Sequence, residues 1–200
     1  MKTGCLILAA GSSTRLGEPK QLLKFDGKTL LRRAAETALS SVCHPVVVIL
    51  GANAERLKKE IEDLPLEIVV NKNWANGLSA SIKTGVSALR AKNPDRIVLM
   101  LCDQLFVTSQ TLNNLVEIHQ KTRKPIVGCE YESTIGVPAL FAREMFDELL
   151  DLQGDVGAKA LFKKHAEKVA KTFASEAAFD VDIRSDYEKL LKLTRTKSRI

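Results

Sequence analysis

Cysteine is scarce in this sequence, and its spacing excludes two kinds of site. The 200 residues contain four cysteines, Cys5, Cys43, Cys102 and Cys129, and no two of them form a CxxC pair. A zinc knuckle or a thioredoxin-type redox motif is therefore excluded. Two of the four lie inside apolar runs, where a thiol behaves as a small hydrophobic group. We expect reduced packing residues and a cytoplasmic location.

Long apolar runs are also missing. No window approaches the 18 apolar residues that a membrane-spanning helix needs, so we expect no membrane partner. The apolar stretch at residues 4–10 is too short for a signal peptide and leads directly into a Gly/Ser/Arg loop. The sequence contains no GxSxG, and its three histidines show no Ser-His-Asp or Cys-His spacing, which excludes the common hydrolase types.

Positive charge is concentrated at one end of the chain. Lys and Arg number 30 against 24 acidic residues, a net charge of +6, and residues 189–200 hold five basic residues and no acidic one. The rest is nearly neutral, and we expect no nucleic-acid partner for it. The tail is either a frayed terminus or an electrostatic arm. Length predicts one domain, placed at residues 1–193, followed by a basic tail at 194–200.

Short apolar runs alternate with helical patterns. Strands are predicted at 5–9, 46–50, 66–70, 97–102, 125–129 and 137–141. Helices are predicted around Leu57–Leu64, Leu78–Leu89 and Leu112–His119, the last of them capped by Thr108 or Ser109. Runs that are apolar at every position are typical of a parallel sheet, and residues 131–155 should add a short antiparallel element. Ligands of such sheets bind outside the carboxyl ends of strands, which indicates the loops after residues 10, 70 and 102.

The loop after the first strand has the residues that a polyphosphate requires. Residues 8–20 read LAAGSSTRLGEPK, a run of backbone amides with two cations, Arg15 and Lys20. It is neither a P-loop nor a GxGxxG fingerprint. Composition alone leaves two interpretations open, an anion-binding loop and an ordinary polar connection.

Asp103 follows an apolar strand in the sequence LCDQLFVT. A carboxylate at that position is costly to desolvate without compensation. At the carboxyl edge of the sheet it could bind Mg²⁺, which prefers one or two carboxylates plus substrate phosphates. The alternative is a helix cap or a loop salt bridge.

Two further segments contain candidate ligand-binding residues. Residues 71–85 read NKNWANGLSASIKTG, in which a turn at Gly77 opens a helix whose amides could take an anion or a base edge. Trp74 in that loop either has a purely structural role or is part of a surface that recognises a base and ribose. Residues 179–190 read FDVDIRSDYEKL, where Asp180 and Asp182 alternate, so only one of them can face a site.

These motifs together resemble a known family. LAAGSSTRLGEPK is similar to the nucleotidyltransferase signature LAAGxSxRxGxPK, and residues 71–85 are similar to that family's NxxWxxGxxxSxxxG stretch. GVPALF and GDVGAKALF further resemble motifs of the molybdenum cofactor cytidylyltransferase-like (MobA-like) branch. The resemblance implies a single-domain, Rossmann-like, three-layer α/β/α nucleotidyltransferase fold with a mostly parallel sheet.

The resemblance also implies roles for individual residues. Arg15 and Lys20 would be catalytic, and Asp103 and Asp182 would bind Mg²⁺, with Asp180 as an alternative second ligand. Leu105 stands where the family usually has proline, and Ile183-Arg184 stand where it has Thr-Pro. The acceptor would meet Gly136, Pro138, Asp155 and Lys159, unless the last two are surface positions. The nucleotide-binding residues would be Leu8, Ala9, Ala10, Gly11, Ser12, Ser13, Arg15, Lys20, Asn71, Gly77, Ser79, Ser81 and Asp103.

The implied reaction is attack by a phosphate monoester on the α-phosphorus of an NTP, with release of pyrophosphate. Ala10 in LAAG, where guanylyl-transferring relatives carry LAGG, favours CTP over GTP. The implied acceptor is the molybdopterin cofactor, with a xanthine dehydrogenase-type enzyme as a partner. Two alternatives remain open: cytidylyl or uridylyl transfer to another small phosphate such as a sugar or polyol phosphate, and a catalytically inactive molybdenum cofactor-binding chaperone.

Overall fold

The computed structural model describes residues 1–14, 16–132, 134–180 and 186–187. The strands are β1 (Thr3–Ala9), β2 (Lys24–Phe25), β3 (Lys28–Thr29), β4 (Val46–Leu50), β5 (Glu67–Val70), β6 (Arg96–Leu101), β7 (Ile126–Tyr131), β8 (Thr134–Ala142) and β9 (Val169–Phe173). The α-helices are α1 (Leu30–Leu39), α2 (Ala54–Lys58), α3 (Leu78–Arg90), α4 (Ser109–Thr122), α5 (Phe146–Leu150) and α6 (Lys159–Lys164).

Seven strands form one sheet in the order β5-β4-β1-β6-β8-β7-β9. The pairs β1–β4, β1–β6, β4–β5 and β7–β9 are parallel, whereas β8 is antiparallel to both β6 and β7. The short β2–β3 hairpin stands apart from this sheet. This is the Rossmann-like, mostly parallel sheet with an antiparallel element that the sequence predicts.

Helices cover both faces of the sheet. Alternate residues of β1 point to opposite faces, so Cys5 and Ile7 join one core cluster while Leu6 and Leu8 join the other. The first cluster packs against α1 and α4, and the second against α3 and α5. Burial on both faces explains why β1, β4 and β6 read as continuous apolar runs.

The predicted strands are confirmed with shifts of up to three residues at their ends. Thr108 caps α4 by accepting a hydrogen bond from the Thr111 amide, as expected. The helix expected across Leu57–Leu64 is wrong in length, because α2 ends at Lys58 and a chain of turns follows. Pro65 disfavours helical backbone at Leu64, the last residue of the expected helix, but it does not account for the end of α2 at Lys58.

The predicted strands and helices omitted α1 and β9, as well as the short elements β2, β3, α5 and α6. Helix α1 has a clear signal, since Thr29 caps it and Leu30, Leu31, Ala34, Ala35 and Ala38 form its buried face. Strand β9 is short and only partly buried, which gives a weak apolar pattern. Among the described residues, no helix is long and apolar enough to cross a membrane. The basic tail predicted at 194–200 lies outside the described residues.

Candidate functional site

A cavity of about 710 Å³ opens at the carboxyl edge of the sheet, where the loops after β1, β5 and β6 converge. It is the location that the sheet topology predicts for a ligand. Ten of the predicted site residues line it: Leu8, Ala9, Ala10, Gly11, Ser12, Lys20, Gly77, Ser81, Asp103 and Asp155.

The loop after β1 has its carbonyl groups bonded within the protein. The Cys102 amide donates to the Leu8 carbonyl at 3.3 Å, and the Ala52 amide donates to the Ala10 carbonyl at 3.0 Å. Within the described residues, the amides of Gly11 and Ser12 donate to no protein acceptor. This segment therefore offers donors to a ligand while its acceptors are engaged, which suits an anion.

Ser13 stabilises the loop. Its backbone adopts a left-handed conformation with φ of 57°, and its hydroxyl accepts a hydrogen bond from the Lys20 amide at 3.0 Å. The same hydroxyl donates to Gln21 Oε1 at 3.3 Å. The Ser13 side chain is thus occupied within the chain, and it does not line the cavity.

Lys20 and Asp103 meet at the edge of the cavity. Lys20 Nζ donates to Asp103 Oδ2 at 2.5 Å, so the cation of the first loop pairs with the carboxylate that follows β6. The Lys20 side chain is 20% exposed and that of Asp103 is 6% exposed. A bound phosphate could replace the carboxylate as the partner of Lys20, and a cation could replace the ammonium as the partner of Asp103.

Asp103 retains an unused oxygen. Its Oδ1 atom is buried and has no hydrogen-bond partner among the described residues. A buried carboxylate oxygen without a donor fits a hard divalent cation. The described part of the chain contains no cluster of three or more His, Cys, Asp or Glu side chains that could bind a metal. A cation at Asp103 would therefore need ligands from substrate phosphates or from residues outside the described ranges.

Cys102 lines the same cavity beside Asp103. Burial raises the pKa of the Cys102 thiol well above its usual value, and the neighbouring Asp103 charge raises this pKa further. This shift favours the neutral thiol, which is a poorer nucleophile than the thiolate.

The N-terminus of α3 is bonded to a distant loop. The Ser79 hydroxyl and amide both donate to the Gly154 carbonyl, at 2.7 and 3.2 Å, and the Leu78 amide donates to Asp155 Oδ1 at 3.2 Å. Gly77 allows this close approach, because a Cβ there would lie 2.5 Å from the Gly154 oxygen. The expectation that the first amides of this helix are free is therefore wrong for Leu78 and Ser79.

Asn71 supports the wall of the cavity without lining it. Its Nδ2 donates to Ser81 Oγ at 3.1 Å, and its Oδ1 accepts from the Asn73 amide at 2.9 Å. The side chain thus joins the end of β5 to α3. Trp74 stands on the adjoining 3₁₀ turn and lines the cavity, and its Cβ packs over Gly51.

The four residues predicted to bind the acceptor lie apart. Asp155 lines the cavity, whereas Gly136, Pro138 and Lys159 are not among its lining residues. Gly136 and Pro138 are buried in β8, and the Gly136 backbone faces the Tyr131 ring. Lys159 is exposed at the start of α6.

Two predicted catalytic or metal-binding residues, Arg15 and Asp182, lie outside the described residues. Asp180 is described and exposed. The pKa of Tyr131 is raised chiefly by burial, and the Asp180 carboxylate contributes to this shift.

Gln21 is the main residue of the site that the sequence analysis missed. It is 1% exposed, lines the cavity, and donates from Nε2 to the carbonyls of Ala9 and Gly11. A signal existed, because Gln21 directly follows the Lys20 of the signature and precedes two leucines. A polar residue in such a position needs internal partners.

Comparison with known proteins identifies the family. The family model of the MobA-like NTP transferase domain matches residues 5–169. The chain belongs to this family. The match contains the loop after β1, Lys20 and Asp103, and ends at the start of β9.

Curated relatives support the assignment. Nicotine blue oxidoreductase of Paenarthrobacter nicotinovorans is 40% identical over 119 residues, which cover 59% of this chain and 57% of that protein. The chain thus spans a little over half the length of that relative. The purine catabolism protein PucB of Bacillus subtilis is 27% identical over 195 residues, covering 92% of this chain and 93% of that protein.

Solved structures match nearly the whole chain. The Rv0371c homologue from Mycobacterium sp. strain JC1 superposes with a TM-score of 0.84 at 32% identity, covering 98% of this chain and all of that one. Rv0371c of Mycobacterium tuberculosis in complex with manganese superposes with a TM-score of 0.80 at 27% identity, covering 96% and 99%.

Proposed function

We propose that this protein transfers the nucleotidyl group of an NTP, with CTP preferred, to a phosphate monoester and releases pyrophosphate. The observation that carries the proposal is the Lys20–Asp103 pair at the mouth of the cavity, next to a loop with unengaged amides. A triphosphate with a divalent cation needs such a set of donors, a fixed ammonium and a carboxylate. The family assignment supports the same class of reaction.

The triphosphate would lie along the loop after β1. The amides of Gly11 to Ser13, together with Arg15, would hold the β- and γ-phosphates. Lys20 would leave Asp103 and donate to the α-phosphate, where negative charge increases in the transition state. An acceptor phosphate oxygen then forms a bond to the α-phosphorus while the bond to the pyrophosphate oxygen breaks. The attacking phosphate is already ionised, so no general base is required.

We propose Mg²⁺ as the cofactor. Asp103 would bind it through the unpaired Oδ1, with Asp182 as the second protein ligand that the motif implies. The cation supplies neutralisation of the phosphate charges. The manganese complex of Rv0371c supports a divalent cation in a related protein. Asp103 would thus exchange its present partner, the Lys20 ammonium, for the cation when the nucleotide binds.

CTP is the preferred nucleotide in this proposal because the Ala10 side chain narrows the base side of the cavity. Trp74 and Ser81 line the same region and would contact the base or the ribose. The proposed acceptor is the molybdopterin cofactor, approaching from the side of Asp155. A xanthine dehydrogenase-type enzyme would then receive the product. All four cysteines are free and buried, which supports a cytoplasmic location.

A thermal-shift comparison tests nucleotide recognition. The protein is heated with CTP, GTP, UTP or ATP, each with and without Mg²⁺, and separately with molybdopterin. A ligand at a hundred times its dissociation constant stabilises by about 2.7 kcal/mol, which raises Tm by roughly 5 to 10 °C for a chain of this size. A Mg²⁺-dependent shift with CTP supports the proposal. A shift with molybdopterin but with no triphosphate would favour the inactive chaperone instead.

A pyrophosphate-release assay then tests the acceptor. Molybdopterin, a sugar phosphate and a polyol phosphate are compared at equal concentration with CTP and Mg²⁺. Release with molybdopterin alone supports the specific proposal. Release with only a sugar or polyol phosphate would retain the transferase and change its acceptor.

One observation favours a second candidate function. The relative with 40% identity is named an oxidoreductase, although it aligns over only 59% of this chain. An oxidoreductase would need a redox cofactor, so NADH and NADPH belong in the same thermal-shift series. A shift with either of them, and none with any triphosphate, would favour this candidate.

A further inference from the structure

We infer that Gln21 is a positioning residue for nucleotide binding, which sets the direction of the backbone dipoles in the loop after β1. The inference rests on the proposed function, since it concerns how that loop receives phosphates. Gln21 belongs to the 3₁₀ turn Lys20–Leu22, which follows Pro19. Adjacent side chains of this turn diverge, so that Lys20 reaches Asp103 while Gln21 reaches back to the loop.

The carboxamide of Gln21 engages the loop at three points. Nε2 donates to the Ala9 carbonyl at 3.1 Å and to the Gly11 carbonyl at 2.8 Å, which uses both of its hydrogens. Oε1 accepts from the Ser13 hydroxyl at 3.3 Å. A side chain that is 1% exposed is thus fully bonded, and its partners are all within one five-residue segment.

As a result, the loop after β1 presents amide donors, and not carbonyl acceptors, to the cavity. Four consecutive carbonyls, those of residues 8 to 11, are bonded within the chain, and Gln21 alone bonds two of them. Without Gln21, the Gly11 carbonyl would lose its donor and could turn towards the cavity, whereas Ala9 is also held by its pairing with Leu50 of β4. A carbonyl oxygen in that direction repels phosphate, whereas an amide attracts it.

A carboxamide supplies what this position requires, namely two donors for the carbonyls and one acceptor for the Ser13 hydroxyl. A glutamate has the same shape but lacks both donors, and it would add a negative charge beside the loop. A methionine keeps the length and the burial but has no donor. Gln21→Glu and Gln21→Met therefore remove the two donors in different ways.

The test measures binding of inorganic tripolyphosphate, Mg²⁺-CTP and CMP to the wild type and to both variants by titration calorimetry. We expect Gln21→Met to weaken tripolyphosphate and CTP by about 10- to 100-fold, because the misplaced loop no longer fits the phosphates. CMP lacks the β- and γ-phosphates, so its affinity should change by less than about threefold. Gln21→Glu should weaken the two polyphosphates further. In the transfer assay, Gln21→Met should raise KM for CTP more than it lowers kcat.

Gln104→Met is the matched control. Gln104 is another buried glutamine whose Nε2 bonds two carbonyls, those of Val137 at 2.7 Å and Ala177 at 3.1 Å. We expect this variant to lose stability and to keep its affinity for tripolyphosphate. Equal losses of polyphosphate affinity in both variants, or equal losses of CMP and CTP affinity in Gln21→Met, would show a merely structural role and overturn the inference.

The outcomes separate this inference from the proposed function. If the wild type binds CTP and tripolyphosphate and Gln21→Met binds them equally well, the role of Gln21 is wrong and the proposed function stands. If the wild type binds neither compound, the proposed function fails and the role of Gln21 falls with it.

Discussion

The proposed nucleotide side and the proposed acceptor side of the cavity are built in different ways. On the proposed nucleotide side, residues 8–14 and 16–21 lie close together in the chain and bond to one another through Ser13, Lys20 and Gln21. On the acceptor side, Asp155 reaches the cavity by bonding to Leu78, from which it is separated by 77 residues. A local segment can be read as a motif, whereas contacts between distant segments depend on how the whole sheet folds.

The largest expected effect lies on the nucleotide side. Asp103→Asn and Lys20→Ala should each lower kcat by about 10²- to 10³-fold, because each removes a charge that acts on the phosphates. Asp103→Asn keeps the side-chain volume, so its Tm should fall by only a few degrees, whereas Lys20→Ala leaves the buried Asp103 carboxylate without its partner and should lower Tm further. Steady-state kinetics with a melting curve measures both quantities. A wild-type kcat in either variant would contradict the proposed role of that side chain in acting on the phosphates.

A steric change at Gly51 should have the next largest effect. A Cβ there would lie 2.6 Å from the Trp74 Cβ and 2.7 Å from the Ala10 oxygen, so two walls of the nucleotide side would move apart. Gly51→Ala should cost about 1 to 3 kcal/mol of stability and about tenfold in CTP affinity.

Gly4→Ala is the control for Gly51→Ala. Gly4 lies at the end of β1 that is away from the cavity. A Cβ added there would meet only the Leu89 side chain at 2.9 Å and neighbouring atoms beyond 3.4 Å. It should lower Tm while leaving CTP affinity unchanged. A loss of affinity in both variants would mean that nucleotide binding follows overall stability.

Asp155 tests the acceptor side. Asp155→Ala removes the acceptor of the Leu78 amide and should cost about 1 kcal/mol, or about 2 to 4 °C in Tm. Asp155→Asn keeps an oxygen at that position and should restore the Tm. If the Asp155 charge also meets the acceptor, Asp155→Asn will raise KM for the acceptor at wild-type stability. An unchanged KM would assign Asp155 to helix capping alone.

The smallest expected effect is in the alkylation of the cysteine thiols. Burial raises the pKa of Cys43 to about 11 and that of Cys129 to about 12, so very little thiolate exists at pH 8. Native protein should resist iodoacetamide for hours, as followed by intact mass. Faster labelling of Cys129, in β7, than of Cys102, which lines the cavity, would show that the sheet opens at β7 independently of the cavity.

The accuracy of the sequence-based predictions follows the same division. The strands, their burial on both faces and the motif in the loop after β1 could be recognised in the sequence, because apolar runs and contiguous motifs are local signals. The bonding of the α3 N-terminus could not be predicted, since it depends on the distant Gly154, and the early end of α2 at Lys58 has no local signal that we identify. Gln21 could have been found by asking where a glutamine between Lys20 and Leu22 obtains its hydrogen bonds.

The sequence by itself determined the family and the α/β class, and it predicted the residues that would meet phosphate, because these depend on contiguous patterns and on the edge at which parallel strands end. Only the tertiary structure decided that Lys20 pairs with Asp103, that Gln21 holds two carbonyls of the loop, and that Asp155 caps α3. Hydrogen bonds act over about 3 Å. Residues that are distant in sequence can form them only after the sheet has brought their loops to one edge.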